Sequence, residues 1–169
     1  MHIRNNYTVS ESKQSEGLIL LQNENIDEFN KWRLKNLTLK LAFDKIDFSK
    51  KSISNAFLNG TSFIDCNFSN SILRDTNLVQ SNLMNSIFDA ADLSNAIMMF
   101  ADLKNSLITN SNLNNTNFMG SNLQKADLRG SILNRTIFVE ANLIDANTFG
   151  LDKSKAFLKS SKLKGTMWE

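Results

Sequence analysis

A five-residue period of apolar side chains dominates the sequence and excludes most ways of folding it. From Phe43 to Leu143, all 21 positions spaced five apart are Phe, Leu, Ile or Met. From Ala56 to Ala146, the 19 positions two residues earlier in each unit are Ala, Ser, Thr or, once, Cys66. Neither the 3.6-residue helix nor the two-residue strand has this period. The chain must therefore turn a corner once per five residues, with the large and the small residue pointing inward.

One such unit cannot bury its apolar residue alone, so neighbouring coils must stack around a shared core. Units such as 91–95 (ADLSN), 101–105 (ADLKN) and 126–130 (ADLRG) resemble the A(D/N)LXX consensus of the pentapeptide repeat family. The resemblance implies an all-β solenoid, a right-handed quadrilateral β-helix with four five-residue sides per coil. With about 4.8 Å between stacked strands, five to six coils make a rod roughly 25 to 30 Å long.

The region before the array is predicted to contain a tail and a cap. Residues 1–16 are polar and aperiodic, so we expect a flexible tail. Residues 17–37 are predicted to form a short α-helical cap, because Asn25 followed by Glu28 is typical of a helix N-terminus. The segment 29–33 (FNKWR) resembles the helical lead-in of bacterial pentapeptide arrays. A cap is expected because the open end of a solenoid exposes unpaired backbone and apolar side chains.

The β-helix is predicted to span residues 38–169, regular over 41–147 and irregular in a last coil at 148–169. An alternation of leucines from Leu37 to Leu41 predicts a strand that leads into the first coil. At the other end, Trp168 returns to the five-residue register. We expect its ring to lie across the open end.

Composition gives no sign of a membrane or secreted protein. No apolar run approaches 18 residues, and the polar start at Met1 lacks the apolar centre of a signal peptide. We therefore expect a cytoplasmic protein without a membrane span. The single cysteine, Cys66, stands at a small inward position and is interpreted as a core residue.

The array lacks the usual parts of a catalytic site. The one histidine, His2, lies outside it, so neither a histidine triad nor a histidine-containing metal site can be assembled there. Asp92, Asp102 and Asp127 occupy the Asp or Asn position of the consensus and are interpreted as solvated or bonded to the corners. We predict no enzymatic activity, no cofactor, no metal and no small-molecule substrate.

One alternative function is imitation of duplex DNA, by which some members of the resembled family bind type II topoisomerases such as gyrase and give resistance or immunity. Duplex DNA carries one charge per about 1.7 Å, so a 25 Å rod needs on the order of 15 negative charges. Residues 43–148 contain ten Asp and Glu against eight Lys and Arg, and the whole chain has a net charge of +2. The charge count disfavours DNA mimicry.

A second alternative is contact with nucleic acid or a membrane surface through a basic C-terminal patch. Residues 149–169 have a net charge of +3 and carry five lysines: Lys153, Lys155, Lys159, Lys162 and Lys164. These side chains suit phosphates. The segment has no interleaved aromatic ladder, and a run of charges is usually a solvated surface, so nucleic acid is disfavoured.

The outward positions are uneven when the array is divided into 20-residue coils. On the side centred on Leu58, Leu78 and Met98, eight of 12 outward positions are apolar, whereas the other three sides have three, three and two. Together with Phe100 at the following corner, these residues define the apolar wall: Phe57, Val79, Ile97, Met99, Phe100, Met119, Ile137, Val139 and Phe157. An apolar face on an otherwise polar rod is typical of a binding surface. The predicted partner is another protein or a second copy of the chain; cover by the N-terminal segment remains the alternative.

Overall fold

The computed structural model describes residues 9–169, with the side chain of Val9 left out. Two helices come first, α1 (Val9–Gln22) and α2 (Ile26–Lys35). A column of stacked coils follows, in which the two strands are β1 (Thr136–Ile137) and β2 (Ala156–Phe157), with the 3₁₀ helix Lys153–Lys155 between them.

The coils stack through parallel pairing of residues 20 apart. Single parallel bridges run along the array from Ala42 with Ser62 to Asn142 with Lys162, and β1 pairs with β2 in the same register. Backbone hydrogen bonds run in both directions between stacked sides: Phe63 N–H donates to Asn82 O at 2.7 Å, and Asn82 N–H donates to Thr61 O at 3.0 Å. Because only one residue per side pairs in this way, strands of ordinary length do not form. The predicted coil is therefore present with little regular strand, and the short helical segment predicted before it consists of two helices.

A residue in the left-handed conformation forms each corner. Positive φ recurs every fifth residue, for example at Asn85 (60°), Asn95 (59°) and Asn105 (59°). Asn, Asp and Gly tolerate this conformation best, which explains their abundance at the fifth position of the repeat. The predicted corner once per five residues is present throughout the regular array.

The core is the predicted column of large and small inward residues. All 21 large positions from Phe43 to Leu143 and all 19 small positions from Ala56 to Ala146 are buried. Phe rings stack from coil to coil, with Phe48, Phe68 and Phe88 separated by 5.1 and 4.9 Å and inclined by only 5°. The inward rings therefore stay parallel from one coil to the next.

Helical structure begins earlier in the chain than predicted. The region expected to be a tail is helical from Val9 onward; its remainder, residues 1–8, lies outside the described residues. Helix α1 packs on α2, because a β-carbon at Gly17 would lie 2.5 Å from the Trp32 ring. Helix α2 begins directly after Asn25 as predicted, although the Asn25 side chain makes no capping bond.

The strand predicted from Leu37 to Leu41 does not form. Residues 36–38 are a turn, 39–41 have no regular structure, and the first paired residue is Ala42. Leu37 is exposed. The alternation of apolar residues does not make a strand here, and pairing with the following coil begins only at Ala42.

The last coil is irregular, and its break is local. Thr148 is buried at the first apolar position that the repeat loses, and the 3₁₀ helix begins at Lys153. Trp168 is buried, with its ring 6.0 Å from that of Phe138. Its carbonyl accepts a bond from the Lys153 ammonium group.

Candidate interaction surface

The apolar wall consists of two straight columns and one corner residue. Pairing of residues 57, 77, 97, 117, 137 and 157 builds one column, with Phe or Ile at four of the six positions. The second column contains Val79, Met99, Met119 and Val139 in consecutive coils. All nine predicted wall residues are accessible: Phe57, Ile97, Phe100 and Phe157 are exposed and the other five are half-buried.

Phe100 stands out within the wall because its backbone is strained. It has a φ of 58°, in the left-handed region, where a bulky side chain is unfavourable. Its ring lies over Gly120 in the next coil, where a β-carbon would be 2.5 Å from Phe100 Cε1. The side chain is nevertheless 54% exposed. The coil requires the left-handed conformation at every corner, so the unusual feature is a bulky apolar side chain at a corner where the repeat favours Asn, Asp or Gly.

The polar contacts between the helices and the array lie in the first coil, residues 41–60. The Asn30 side chain accepts from Phe57 N–H and donates to Asn55 O, both at 2.9 Å. The Gln14 side chain accepts from Ala42 N–H at 3.0 Å, and Glu24 forms an ion pair with Lys51. Even Phe57, the wall residue next to this contact, remains 39% exposed.

Arg33 joins α2 to the start of the array. Its guanidinium group donates to Asn36 O at 2.9 Å, Leu39 O at 3.0 Å and Asn59 O at 3.3 Å. The side chain is buried, and that burial lowers the pKa of the guanidinium group. Neither Arg33 nor the amides of Gln14 and Asn30 were predicted as contacts. Their signal in the sequence is weak, because they belong to no period.

The five lysines of the basic C-terminal patch do not share one surface. Lys159 follows the last wall residue, whereas Lys162 pairs with Asn142 on a different side. Lys164 lies on that same side. Lys153 and Lys155 belong to the 3₁₀ helix on a third side, and Lys153 bonds the Trp168 carbonyl. The coil brings the lysines to one end of the rod and spreads them around it.

Several exposed apolar residues lie outside the predicted wall. Ile72 and Ile132 stand singly on otherwise polar sides, and Leu107 stacks on Ile87 of the preceding coil; scattered residues of this kind are normal for a protein surface. Phe149 and Met167 are exposed next to each other at the C-terminal end, where they line an open cleft of about 510 Å³. Sequence analysis missed this pair because the regular period has already ended there.

The aspartates at the consensus position have structural partners. The side chains of Asp92, Asp102 and Asp127 each accept from the backbone N–H two residues later, at 3.0 to 3.1 Å. Burial raises the pKa of Asp92, but bonds from Ser94 and Arg74 outweigh it and hold that pKa below its usual value. A bond from Arg129 lowers the pKa of Asp127 in the same direction. These carboxylates therefore stabilise the corners of the coil by accepting hydrogen bonds.

The remaining candidates for chemistry are also accounted for. The Cys66 thiol donates to Phe43 O at 2.9 Å, and burial raises its pKa to about 11. Within residues 9–169, no group of three or more His, Cys, Asp or Glu side chains is arranged to hold a metal. No helix in the same range is long and apolar enough to cross a membrane.

Comparison with known families agrees with this geometry. The family model described as pentapeptide repeats matches in eight copies, over residues 43–78, 61–98, 96–135 and 121–147. The matched segments cover more than half of the chain, which therefore belongs to the pentapeptide repeat family. Members of this family form right-handed quadrilateral β-helices, in keeping with the 20-residue coil found here. No curated protein matches the sequence significantly.

Solved structures of the same class are similar at low identity. A pentapeptide repeat protein, alr5209, from Nostoc PCC 7120 is 23% identical, with 71% of this chain and 82% of that chain covered and a TM-score of 0.41. A pentapeptide repeat protein of the Arabidopsis thaliana thylakoid lumen is 24% identical over 71% and 74%, with a TM-score of 0.38. Full-length QnrB1, a plasmid-mediated fluoroquinolone resistance protein, is 18% identical over 72% and 81%, with a TM-score of 0.29. These values carry no argument about the function of this chain.

Proposed function

We propose that this protein is a non-enzymatic interaction module that binds another protein, or a second copy of itself, through the apolar wall. The observation that carries the proposal is Phe100, which is held in a left-handed conformation and is still 54% exposed. A bulky apolar side chain in that position costs stability without filling a core. A contact with a partner would bury the exposed ring and offset this cost.

The size of the wall fits the core of an interface. Six coils at about 4.8 Å and a side about 10 Å wide give an area of roughly 300 Å². Monomers rarely expose contiguous apolar patches larger than a few hundred Å² without a use for them. A standard interface buries about 800 Å² per partner, so the polar sides next to the wall would form its rim. The two methionines at its centre suit a surface that adapts to its partner.

We infer that α1 and α2 act as the N-terminal cap of the solenoid. In the regular array, the backbone N–H corresponding to Phe57 N–H is bonded by the preceding coil, as when Asn77 N–H donates to Ala56 O. The first coil has no such neighbour, and the side-chain oxygens of Asn30 and Gln14 take its place. This role supports the proposal, because helices placed over the end leave the wall free.

The DNA-mimic alternative receives no support from the charges. Residues 43–148 have ten acidic against eight basic side chains, and Asp92 and Asp127 are already paired with Arg74 and Arg129. A mimic of duplex DNA needs a continuous negative surface. Inhibition or protection of gyrase supercoiling by an equimolar amount of this protein would establish the alternative instead.

The proposal can be tested with two matched double variants. Ile97→Asp with Phe100→Asn places a polar residue at two wall positions, and the repeat itself favours both replacement residues there. Leu107→Asp with Ala90→Asn makes the same kinds of change on a polar side. Ile97 and Leu107 are exposed to a similar extent, 40% and 43%.

Binding is read out by quantitative co-purification from the source cell and by sedimentation of the purified protein. We expect the wall variant to lose the partner, or the self-association, that the wild type and the polar-side variant retain. Circular dichroism should show the same fold for all three proteins. Equal behaviour of the wild type and the wall variant, both folded, would overturn the proposal.

A further inference from the structure

The apolar wall nearly matches itself when the rod is reversed end to end. Its second column reads Asn59, Val79, Met99, Met119, Val139, Lys159, and the apolar residues keep the same order from either end. The centre of this symmetry lies between Met99 and Met119, halfway along the six coils. A surface that is symmetric about its own centre is what a two-fold dimer interface requires, because each patch must complement itself.

The corner column beside the wall shows the same symmetry in its charges. Its corners read Asn55, Asp75, Asn95, Asn115, Arg135, so that reversal about the centre between Met99 and Met119 places Asp75 opposite Arg135. Asp75 and Arg135 are both exposed. Within the described part of the chain, neither takes part in an ion pair. Their charges are thus available to a partner.

Straight columns are needed for such a match to extend over the whole rod. The rings of Phe118 and Phe138, one coil apart, are inclined by 5°, as are those in the Phe48 stack. Sheets usually twist by 20 to 25° per strand, which would turn the ends of the wall away from a flat partner. The first wall column is paired without a break from Phe57 to Phe157, so its residues stay stacked from coil to coil along the whole wall.

We propose that the occupant of the apolar wall is a second copy of this chain, packed antiparallel about a two-fold axis between the coils of Met99 and Met119. This inference rests on the proposed function and names its partner. Met99 then lies against Met119 of the second copy, Val79 against Val139, and Phe57 against Phe157. Asp75 faces the second copy's Arg135 at the rim. The Phe100 ring, which leans over Gly120 towards the axis, meets its symmetry mate there.

A parallel dimer fits the same wall less well. In the antiparallel arrangement, two of the six kinds of facing pair join an apolar residue to Asn: Ile97 with Asn117, and Ile137 with Asn77. The carboxamide oxygens of these two asparagines already accept from Met119 N–H and Val79 N–H. In a parallel arrangement each column faces the other, and four of the six kinds of pair join an apolar to a polar residue. The antiparallel dimer is therefore favoured.

The area sets the expected strength of the dimer. The wall and its two corner columns offer less than the about 800 Å² per partner of a standard interface. Interfaces at the small end of the range are weak and transient. We therefore expect a dimer that dissociates on dilution within a range of about 1 µM to 1 mM.

The rim pair gives the sharpest test, by charge reversal in the full chain. Asp75→Arg and Arg135→Asp should each weaken dimerisation by about tenfold or more at low salt, since each creates two like-charge contacts. The double variant should return to nearly wild-type affinity, because the pair is restored with its signs exchanged. Both positions are exposed corners, and the array already carries Arg or Lys in this conformation, so the fold should tolerate each change.

Sedimentation of the wild type, the two single variants and the double variant, each measured over a series of protein concentrations, distinguishes the outcomes. Recovery in the double variant supports the antiparallel dimer, because in a parallel dimer Arg135 faces Glu140 and the exchange does not restore the pair. Single variants that dimerise like the wild type, or a double variant that does not recover, overturn the inference. A wild type that is monomeric throughout also overturns it. Loss of a different protein partner in the Ile97→Asp and Phe100→Asn variant would then leave the proposed function standing.

A second measurement checks the pairing directly. In a Cys66→Ala background, Val79→Cys and Val139→Cys proteins are mixed and oxidised gently. The antiparallel dimer predicts a disulfide that joins a Val79→Cys chain to a Val139→Cys chain in the mixed sample. Either variant oxidised by itself should form little disulfide-linked dimer. Equal cross-linking in all three samples would contradict it.

Discussion

The Asn30 side chain forms two hydrogen bonds to the first coil, accepting from Phe57 N–H and donating to Asn55 O, both at 2.9 Å. One carboxamide thus stands in for backbone that a preceding coil would have supplied. The same substitution of side chain for backbone occurs between Gln14 and Ala42 N–H.

Loss of this carboxamide should destabilise the protein from its N-terminal end. We expect Asn30→Ala to lower the free energy of unfolding by about 1 to 2 kcal/mol, because two hydrogen bonds are removed. Lys31→Ala, at the next position but pointing into solvent, is the control and should leave the urea midpoint nearly unchanged. Hydrogen exchange should be faster at Phe57 N–H in the Asn30 variant. Unchanged stability and exchange would show that the bonds contribute nothing.

Phe100→Asn should raise stability or leave it unchanged, although it removes a large apolar side chain. The left-handed conformation of a bulky residue costs on the order of 1 to 2 kcal/mol, and Asn adopts it readily. Ala90→Asn, at another non-Gly corner with a φ of 56°, is the control for the backbone effect alone. The measurement is thermal or urea unfolding of the purified variants. A large loss of stability would mean that the Phe100 ring is needed by the fold, and its assignment to the wall would be wrong.

Asp92 tests the structural role of the consensus aspartates. Asp92→Ala removes the acceptor of Ser94 N–H and should cost about 1 kcal/mol, whereas Asp92→Asn keeps an acceptor oxygen and should cost less. The folded pKa of Asp92 is lowered, so its stabilising effect is present at neutral pH. That effect is lost as the pH falls below the ordinary value of 3.8 and through the folded pKa. Acid unfolding curves of the Asp92→Asn variant should lack this part of the pH dependence.

Cys66 should be inert in the folded protein and should shape its stability at alkaline pH. Burial raises the thiol pKa from 9.0 to about 11, so the unfolded chain loses this proton first as the pH rises. The stability associated with the neutral thiol is therefore complete below about pH 9 and declines between pH 9 and 11. Cys66→Ala places the commoner residue of the repeat at that position and should remove this decline. Alkylation of the native thiol at pH 8 as fast as in urea would contradict the burial.

The sequence predicts the array well because its information is repeated. Every large inward position from Phe43 to Leu143 has the same environment, so a period found in a few units applies to all. The corners follow from the same argument. The helices do not repeat, and α1 lacks an apolar stripe of its own. Its structure depends on contacts such as that of Gly17 with Trp32, which no local pattern reveals.

The candidate surface can be predicted wherever the five-residue register holds, because the register locates the outward residues. Counting outward residues by side finds eight of the nine wall residues, and the structure places them in two adjacent columns with Phe100 at the next corner. The count cannot find the packing of Phe100 on Gly120 or the contacts that keep the helices within the first coil. Those depend on side-chain geometry. The pair Phe149 and Met167 was missed for a further reason, since the break at Thr148 ends the pattern that locates outward positions.

The 20-residue register also determines the order in which this chain can fold during synthesis. Each new coil pairs only with the coil made immediately before it, so the loop closed at every step has about 20 residues and a small entropic cost. The helices that bond the first coil are made before it, and each completed coil then offers its edge as a template for the next. The solenoid can therefore fold coil by coil from its N-terminal end, and no segment needs a partner that is distant in sequence.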